Sequence, residues 1–509
     1  MKKKVFAILT VLCLVLTIVP IAVFAANTTV NDTSTLKTAI QAGGEVTLGA
    51  DITLTEKIEI PAGKTVTLDL NGKTLTGASN QDVLSNKGML TVTGTGTVKA
   101  QGTGGAVVNY TGGTANLNGG TYTGEKWYTL KNMGTMTIAE GASVSTSDAA
   151  NVSSLIDNGW YGNPTNDRSE TCPKDGRTAK LTISGGSFTG KQATLNTVKN
   201  DDCGSLTITG GTFSNTTGPS VLNWHQATIS GGTFKAENSA VLANGYLGEQ
   251  DKGELTVTGG TFSSKDANTP LFAIGSGTKS GGSLSIKGGD FTGKFVVPEY
   301  KNPQNGTGTV AKYDISVESG TFSSAVPVAN IAQGKTAASK NDVAFYIGSS
   351  EQVAANLATA QTGDTVTVTQ GDLAVANVPT GVTVKNEGTG AVTVNNVSVP
   401  QNGQVVAHQH NAVYTEAKAP TATEAGNLAY WYCADCGKYF TDQALTTEVP
   451  FDSLVLAATG ETTPEQEQKP AENLNSPATG DVTFITVALL TVLAGATLTG
   501  VAITAKRKA

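Results

Sequence analysis

Arginine is almost missing from this chain of 509 residues. Apart from Arg507 near the end there are only Arg168 and Arg177, and both lie in one polar stretch, Gly159 to Lys180. Any chemistry that needs a guanidinium is confined to that stretch. Cysteine is scarce as well, with Cys13, Cys172, Cys203, Cys433 and Cys436 accounting for all five. A large disulfide framework is therefore excluded. The calcium-binding Gly-Gly-x-Gly-x-Asp nonapeptide does not occur, so the many Gly-Gly pairs read as turns and not as metal sites. Positive charge is also in short supply. Setting aside three lysines at the start and three cations at the end takes Lys+Arg from 34 to 28, and dropping Asp481 takes Asp+Glu from 41 to 40. The remainder carries about −12, which argues against nucleic acid or anionic lipid as partner and leaves neutral glycans open.

Long apolar runs occur only at the two ends. Lys2-Lys3-Lys4, the run from Val5 to Phe24 and small residues at Ala25 and Ala26 have the layout of a secretory signal peptide over residues 1–25. At the other end, Ser476-Pro477-Ala478-Thr479-Gly480-Asp481 precedes an uncharged stretch from Val482 to Ala505 and then Lys506-Arg507-Lys508. Such a stretch is long enough to span a bilayer as a helix, and the trailing cations mark its cytoplasmic end. This tail resembles the sorting signal of sortase-anchored cell-wall proteins of Gram-positive bacteria. The resemblance implies cleavage after Thr479 by a sortase and covalent attachment of Thr479 to peptidoglycan. Ser476 stands where the usual signal has Leu, which points to a variant sortase specificity. Without sorting, the tail is a single-pass membrane anchor.

Between the ends the sequence repeats. Leu181-Thr-Ile-Ser-Gly-Gly-Ser-Phe188 returns from Leu206 to Phe213, Ala227 to Phe234, Leu255 to Phe262 and Leu284 to Phe291. An earlier copy opens at Leu90, and weaker ones open at Ala115, Met136 and Ile315. Spacings of 21 to 31 residues between the starts at 181, 206, 227, 255, 284 and 315 fall in the range of solenoids. Within a copy, apolar residues alternate with threonine as in a strand with one buried face, and Gly-Gly supplies the bend before phenylalanine returns inward. Stacking is then obligatory, because one copy cannot bury its own apolar side. It predicts an internal column of Phe188, Phe213, Phe234, Phe262, Phe291 and Phe322. Asparagines after short apolar pairs, at Asn86, Asn109, Asn158, Asn223 and Asn244, predict a second column at turns, with Asn132 and Asn196 as looser members. The pattern resembles the right-handed parallel β-helix over roughly Val46 to Ser324. Leu36, Ala39 and Ile40 predict a short capping helix before the first strand. Val353, Leu357 and Ala360 repeat that layout ahead of a small β-rich unit over 341–406.

β-Helices can carry carbohydrate-active enzymes, so acids on adjacent turns matter. Of the positions before the expected column asparagines (Ser85, Val108, Lys131, Asp157, Leu195, Leu222 and Ala243) only Asp157 is acidic. The positions after them bring no acid, so no in-register pair is expected. Catalytic candidates reduce to Asp157, Arg168 and Arg177, set against the plainer reading that loops collect charge because they are solvated. Trp160, Tyr161, Trp224 and Tyr246 leave the asparagine column on one side and are the candidates for stacking on a sugar, with simple packing over neighbouring loops as the alternative. Cys172 and Cys203 precede strands on adjacent turns and predict a disulfide across the insertion.

From His410 to Pro450 the composition changes. Tyr430-Trp431-Tyr432-Cys433-Ala434-Asp435-Cys436-Gly437-Lys438-Tyr439-Phe440 resembles a short module of surface proteins of gut Firmicutes. Cys433 and Cys436 with His408 and His410 have the donor set of a tetrahedral zinc site, and a local Cys433–Cys436 disulfide is the alternative. Residues 459–475 are polar and proline-punctuated, a flexible spacer.

The sequence thus predicts an all-β chain: signal peptide 1–25, a right-handed parallel β-helix solenoid with its cap over 26–330, a small β-rich unit 341–406, a cysteine module 408–458, a linker 459–475, and a sorting signal 476–509 with transmembrane segment 482–505. Expected partners are a sortase, peptidoglycan and a glycan or host-surface ligand, with no nucleic acid, and a monomer is expected. The expected role is adhesion or glycan contact at the cell wall; a wall-anchored polysaccharide lyase or glycosidase and a purely structural stalk are the alternatives.

Overall fold

A computed structural model of the chain describes residues 27–160, 178–191, 194–245, 253–275, 282–301, 310–408, 410–434 and 436–460. The signal peptide, the sorting signal, Val482–Ala505, Arg168, Arg177, Cys172, Tyr161 and Tyr246 lie outside the described residues. Among those described, no helix is long and apolar enough to cross a membrane.

The chain is strand-rich, and its strands run in long parallel sheets consistent with a β-helix. Twelve strands, from Thr28–Val30 to Asp314–Val317, form one sheet. Its register follows the sequence repeat: Met136, Leu181, Leu206, Ala227, Leu255, Leu284 and Ile315 are successive partners. Alternation explains the pairing, because shifting any strand by one residue would turn its buried apolar set to solvent.

After the strands of Leu181, Leu206, Ala227, Leu255 and Leu284 a Gly-Gly pair turns the chain. Gly211 lies at φ +105, and a Cβ there would meet a ring carbon of Phe213 at 3.2 Å. A Cβ on Gly210 would come within 2.5 Å of the Ser184 carbonyl oxygen on the preceding turn. The dipeptide therefore serves two ends at once, left-handed backbone and close approach of neighbouring turns.

Past this bend the predicted phenylalanine column forms. Phe188, Phe213, Phe234, Phe262, Phe291 and Phe322 are in register and buried. Their rings stack at centroid distances of 4.6 to 4.9 Å with planes within 10° of parallel.

The asparagine column forms too, with one member changed. Asn86, Asn109, Asn132, Asn158, Asn200, Asn223 and Asn244 end successive strands in register. Each Nδ2 donates to the Oδ1 of the next at 2.7 or 2.8 Å. All seven are fully buried, so the amides satisfy one another where water cannot. Asn196, expected in the column, instead pairs with Ser154, and Asn200 takes its place. These asparagines end strands and are not among the residues with positive φ, so hydrogen bonding, and not a left-handed turn, selects them.

Both ends of the stack are closed. Helix α1 (Thr33–Ala42) is capped by Asp32 and buries Leu36, Ala39 and Ile40, as the spacing predicted. At the far end, Gly320–Phe322 pairs antiparallel with Ala344–Gly348. A smaller core follows, built on Val353 and Leu357 of helix α2 (Ser350–Leu357) with Val366, Val368, Val384 and Val392. Chain contacts divide the protein into two compact units. One holds residues up to Ala417 with Leu428–Leu454, and the other holds Lys418–Asn427 with the chain from Val455. In the second, Gly426–Asn427 pairs antiparallel with Val455–Leu456.

Candidate functional site

Two clusters of polar side chains stand apart from the repeat. The first lies on the outer side of the asparagine strands. Because Asn200 and not Asn196 belongs to the column, the position before it is Lys199 in place of Leu195, and the position after it is Asp201 in place of Thr197. The outward ladder therefore reads Val108, Lys131, Asp157, Lys199, Leu222, Ala243. Sequence reasoning missed Lys199 and the pairing of Asp201 with it. The five-residue strand Asn196–Asn200 has an asparagine at each end, and only pairing with Asn158 distinguishes them.

Lys131 Nζ lies 2.9 Å from Asp157 Oδ1 with side chains 2 % and 7 % exposed. Lys199 Nζ lies 2.8 Å from Asp201 Oδ2 with 7 % and 0 % exposed. The Asp202 amide donates to Asp201 Oδ1. Burial, helped by the negative charge of Asp157, pushes the Asp201 carboxyl up to about 6 against the pull of Lys199 and Lys131. Apolar groups surround the ions. Val108, Met133, Trp160 and Ala179 pack together with Tyr110 and Tyr128, and Leu222, Trp224 and Ala243 form a second cluster. The Trp224 ring lies 4.0 Å from Lys199 Nζ.

That packing corrects the expected sugar-binding tryptophans. Trp160 is 1 % exposed and Trp224 3 %, so both serve as packing over the ladder and neither offers a face to a ligand. Trp127 is exposed instead, at 56 %, on a bulged strand and with φ +62. Nothing in the alternation of its strand marked it in advance. Asp157, the acidic candidate, is an ion-pair partner inside the cluster. Cys203 is disulfide-bonded, and Cys172, its expected partner, lies outside the described residues.

The second cluster is in the cysteine module. Strands Tyr430–Cys433 and Lys438–Phe440 pair antiparallel, and Ala412–Thr415 adds a third. The Gly437 amide donates to the Cys433 carbonyl at 2.8 Å, closing a tight knuckle that brings both thiols to one side. His408 is held from behind, where Asn395 Nδ2 donates to its carbonyl oxygen. His408 Nε2 then lies 3.4 Å from Cys433 Sγ, and His410 Nδ1 3.4 Å from Cys436 Sγ. One donor atom from each of the four residues falls within 4.8 Å of the others. A tetrahedral ion with its usual sulfur and nitrogen bond lengths sets such edges at about 3.5 Å. Both thiols are free, so the alternative of a local disulfide is not what the structure holds. Burial opposes ionisation of Cys433, yet hydrogen bonds from His408, His410 and Cys436 outweigh it and bring the thiol down to about 6. Cys436 moves up, by burial and by its neighbour Cys433. One thiolate beside one thiol and two imidazoles is a set of donors that a soft divalent ion would draw together.

The same sheet has a second face. Register places Val413, Tyr432, Tyr439 and Val449 side by side, on the opposite face from Cys433. Tyr439 is the hub, with Tyr432 at 4.7 Å, Phe451 at 5.0 Å and Tyr430 at 5.5 Å between ring centroids. Phe451 is 45 % exposed and the three tyrosines are half-buried. No protein family, curated protein or solved structure matches the chain.

Proposed function

We propose that the chain is an exported surface protein of a Gram-positive bacterium, anchored to peptidoglycan through Thr479, that displays a right-handed parallel β-helix and a zinc-stapled aromatic module for contact with glycans. The observation that carries the contact role is the row of rings on the module, Tyr430, Tyr432, Tyr439 and Phe451. Such a surface suits a sugar: ring faces take the apolar side of a pyranose, and phenolic hydroxyls reach its hydroxyls. The exported chain's negative charge favours a neutral glycan over a sulfated or uronic one.

Zinc fits the donors better than calcium or magnesium, which take oxygen ligands. His408, His410, Cys433 and Cys436 would hold it, and four protein ligands leave no open position, so its role is structural. Export and anchoring rest on the order of segments at the two ends, read from the sequence.

A glycan array tests the contact role. Wild-type protein is expected to retain a subset of neutral glycans and to lose it in Tyr432→Ala and Tyr439→Ala, while Trp224→Ala leaves the profile unchanged. Binding that survives both tyrosine substitutions would remove the module from this role. Trp127→Ala reports separately on the exposed tryptophan. Anchoring is tested by Thr479→Ala, which should release the protein from purified walls.

A further inference from the structure

The buried ions on the outer ladder ask for an explanation that neither anchoring nor glycan contact supplies. We propose that Lys131 and Asp157 condense to form an intramolecular isopeptide bond between adjacent turns of the stack.

Position comes first. Lys131 and Asp157 are direct partners on neighbouring parallel strands, and the pairs on either side, Leu130 with Ile156 and Asn132 with Asn158, hold them there. The Asn132–Asn158 side-chain hydrogen bond, 2.7 Å long, locks the register one residue away. The amine and the carboxyl meet at 2.9 Å with almost no exposure on either side. A reacting pair so held has already lost the freedom that a bimolecular condensation must give up.

Dryness comes next. Val108 precedes the pair on the ladder, and Tyr128 faces Lys131 Nζ at 5.5 Å from its ring centroid. A buried ion pair bears a desolvation penalty for each charge, and proton transfer within the pair yields the neutral amine and acid that react. The neutral amide removes both charges, and low water activity opposes the reverse hydrolysis.

The reaction balances without any co-reactant. Lys131 Nζ attacks Asp157 Cγ, forming the N–C bond, and one Cγ–O bond breaks. Of the three ammonium protons one stays on the amide nitrogen and two leave with the carboxylate oxygen as water. Asp201 is fully buried too, and it pairs with Lys199 at 2.8 Å. Its own lysine is not the reacting one. Lys199 sits two residues away on the same chain segment and under the Trp224 ring, so a bond there would join no separate turns.

Peptide mapping of the exported full-length chain, reduced and denatured before trypsin, decides the matter. The expected product is a branched peptide joining the segments around Lys131 and Asp157, one water lighter than their sum, with no cleavage at Lys131. Lys131→Arg keeps the positive charge and should abolish the branch. Ordinary cleavage at Lys131 in the wild type overturns the proposal, as does a branch at Lys199.

Discussion

Replacing Asn223 by alanine tests how much of the stack depends on its buried amide ladder. Asn223 accepts from Asn200 Nδ2 at 2.8 Å and donates to Asn244 Oδ1 at 2.7 Å, to the His225 carbonyl at 3.1 Å and to the Glu254 carbonyl at 3.0 Å. The two N–H protons, shared among three acceptors, and the one accepted bond count as three hydrogen bonds at about 1 kcal/mol each, and partners left unpaired in a buried site add to the loss. Water does not refill the site readily, because the ladder is fully buried from Asn86 to Asn244. The range to expect is therefore about 3–5 kcal/mol, large against the stability of an ordinary domain. Urea denaturation followed by circular dichroism measures it, with an unchanged slope confirming that the same surface unfolds. A double-mutant cycle sharpens the test. Asn223→Ala with Asn244→Ala should couple by ~0.5 kcal/mol or more, whereas Asn223→Ala with the distant Asn86→Ala should be additive. A loss under ~1 kcal/mol, or equal coupling in near and far pairs, would refute the reasoning.

Three further outcomes follow from the same structure. Phe234→Ala removes a buried ring stacked between Phe213 and Phe262 and should cost about 3–5 kcal/mol, read in the same denaturation assay. Adding zinc to chelator-treated protein should release protons and restore the Trp431 fluorescence of the folded module, and Cys433→Ser should bind no zinc by elemental analysis. The folded-state pKa of Asp201 is raised from 3.8 to about 6, so its contribution is fully present below the lower value and is lost as pH rises through the upper. Comparison of wild type with Asp201→Asn across that window should show up to ~3 kcal/mol of pH-dependent difference, and parallel curves would contradict it.

Much of the fold was legible because its physics is periodic. A strand that buries alternate residues and turns at Gly-Gly must stack on its copies, so Phe188 to Phe322 could be aligned by spacing alone. The asparagine column was nearly as clear, and it failed where periodicity fails. Between Asn158 and Asn200 the chain carries the long insertion, 42 residues from one ladder amide to the next, and counting no longer picks the partner. Choosing Asn196 hid Lys199 and its pairing with Asp201, and with them the ionic cluster. Trp160 and Trp224 were misplaced for a related reason. Alternation says which residues leave the sheet, but it does not say what covers them once outside. The metal donors were legible because His408, His410, Cys433 and Cys436 carry their chemistry in their identity. Their free state was not, since it depends on how the knuckle at Gly437 aims each sulfur.

The two closures of the stack also bear on solubility. A parallel, in-register array ends in a row of open amides and carbonyls, the same edge that adds chains in a cross-β fibre. Here α1 lies against the first turns, and Ala344–Gly348 runs opposite to Gly320–Phe322 at the last. The other edge of Ala344–Gly348 is taken by Thr336–Lys340, so it offers no open row to a second parallel stack. Copies crowded side by side would thus meet through their flanks, without growing end to end into filaments.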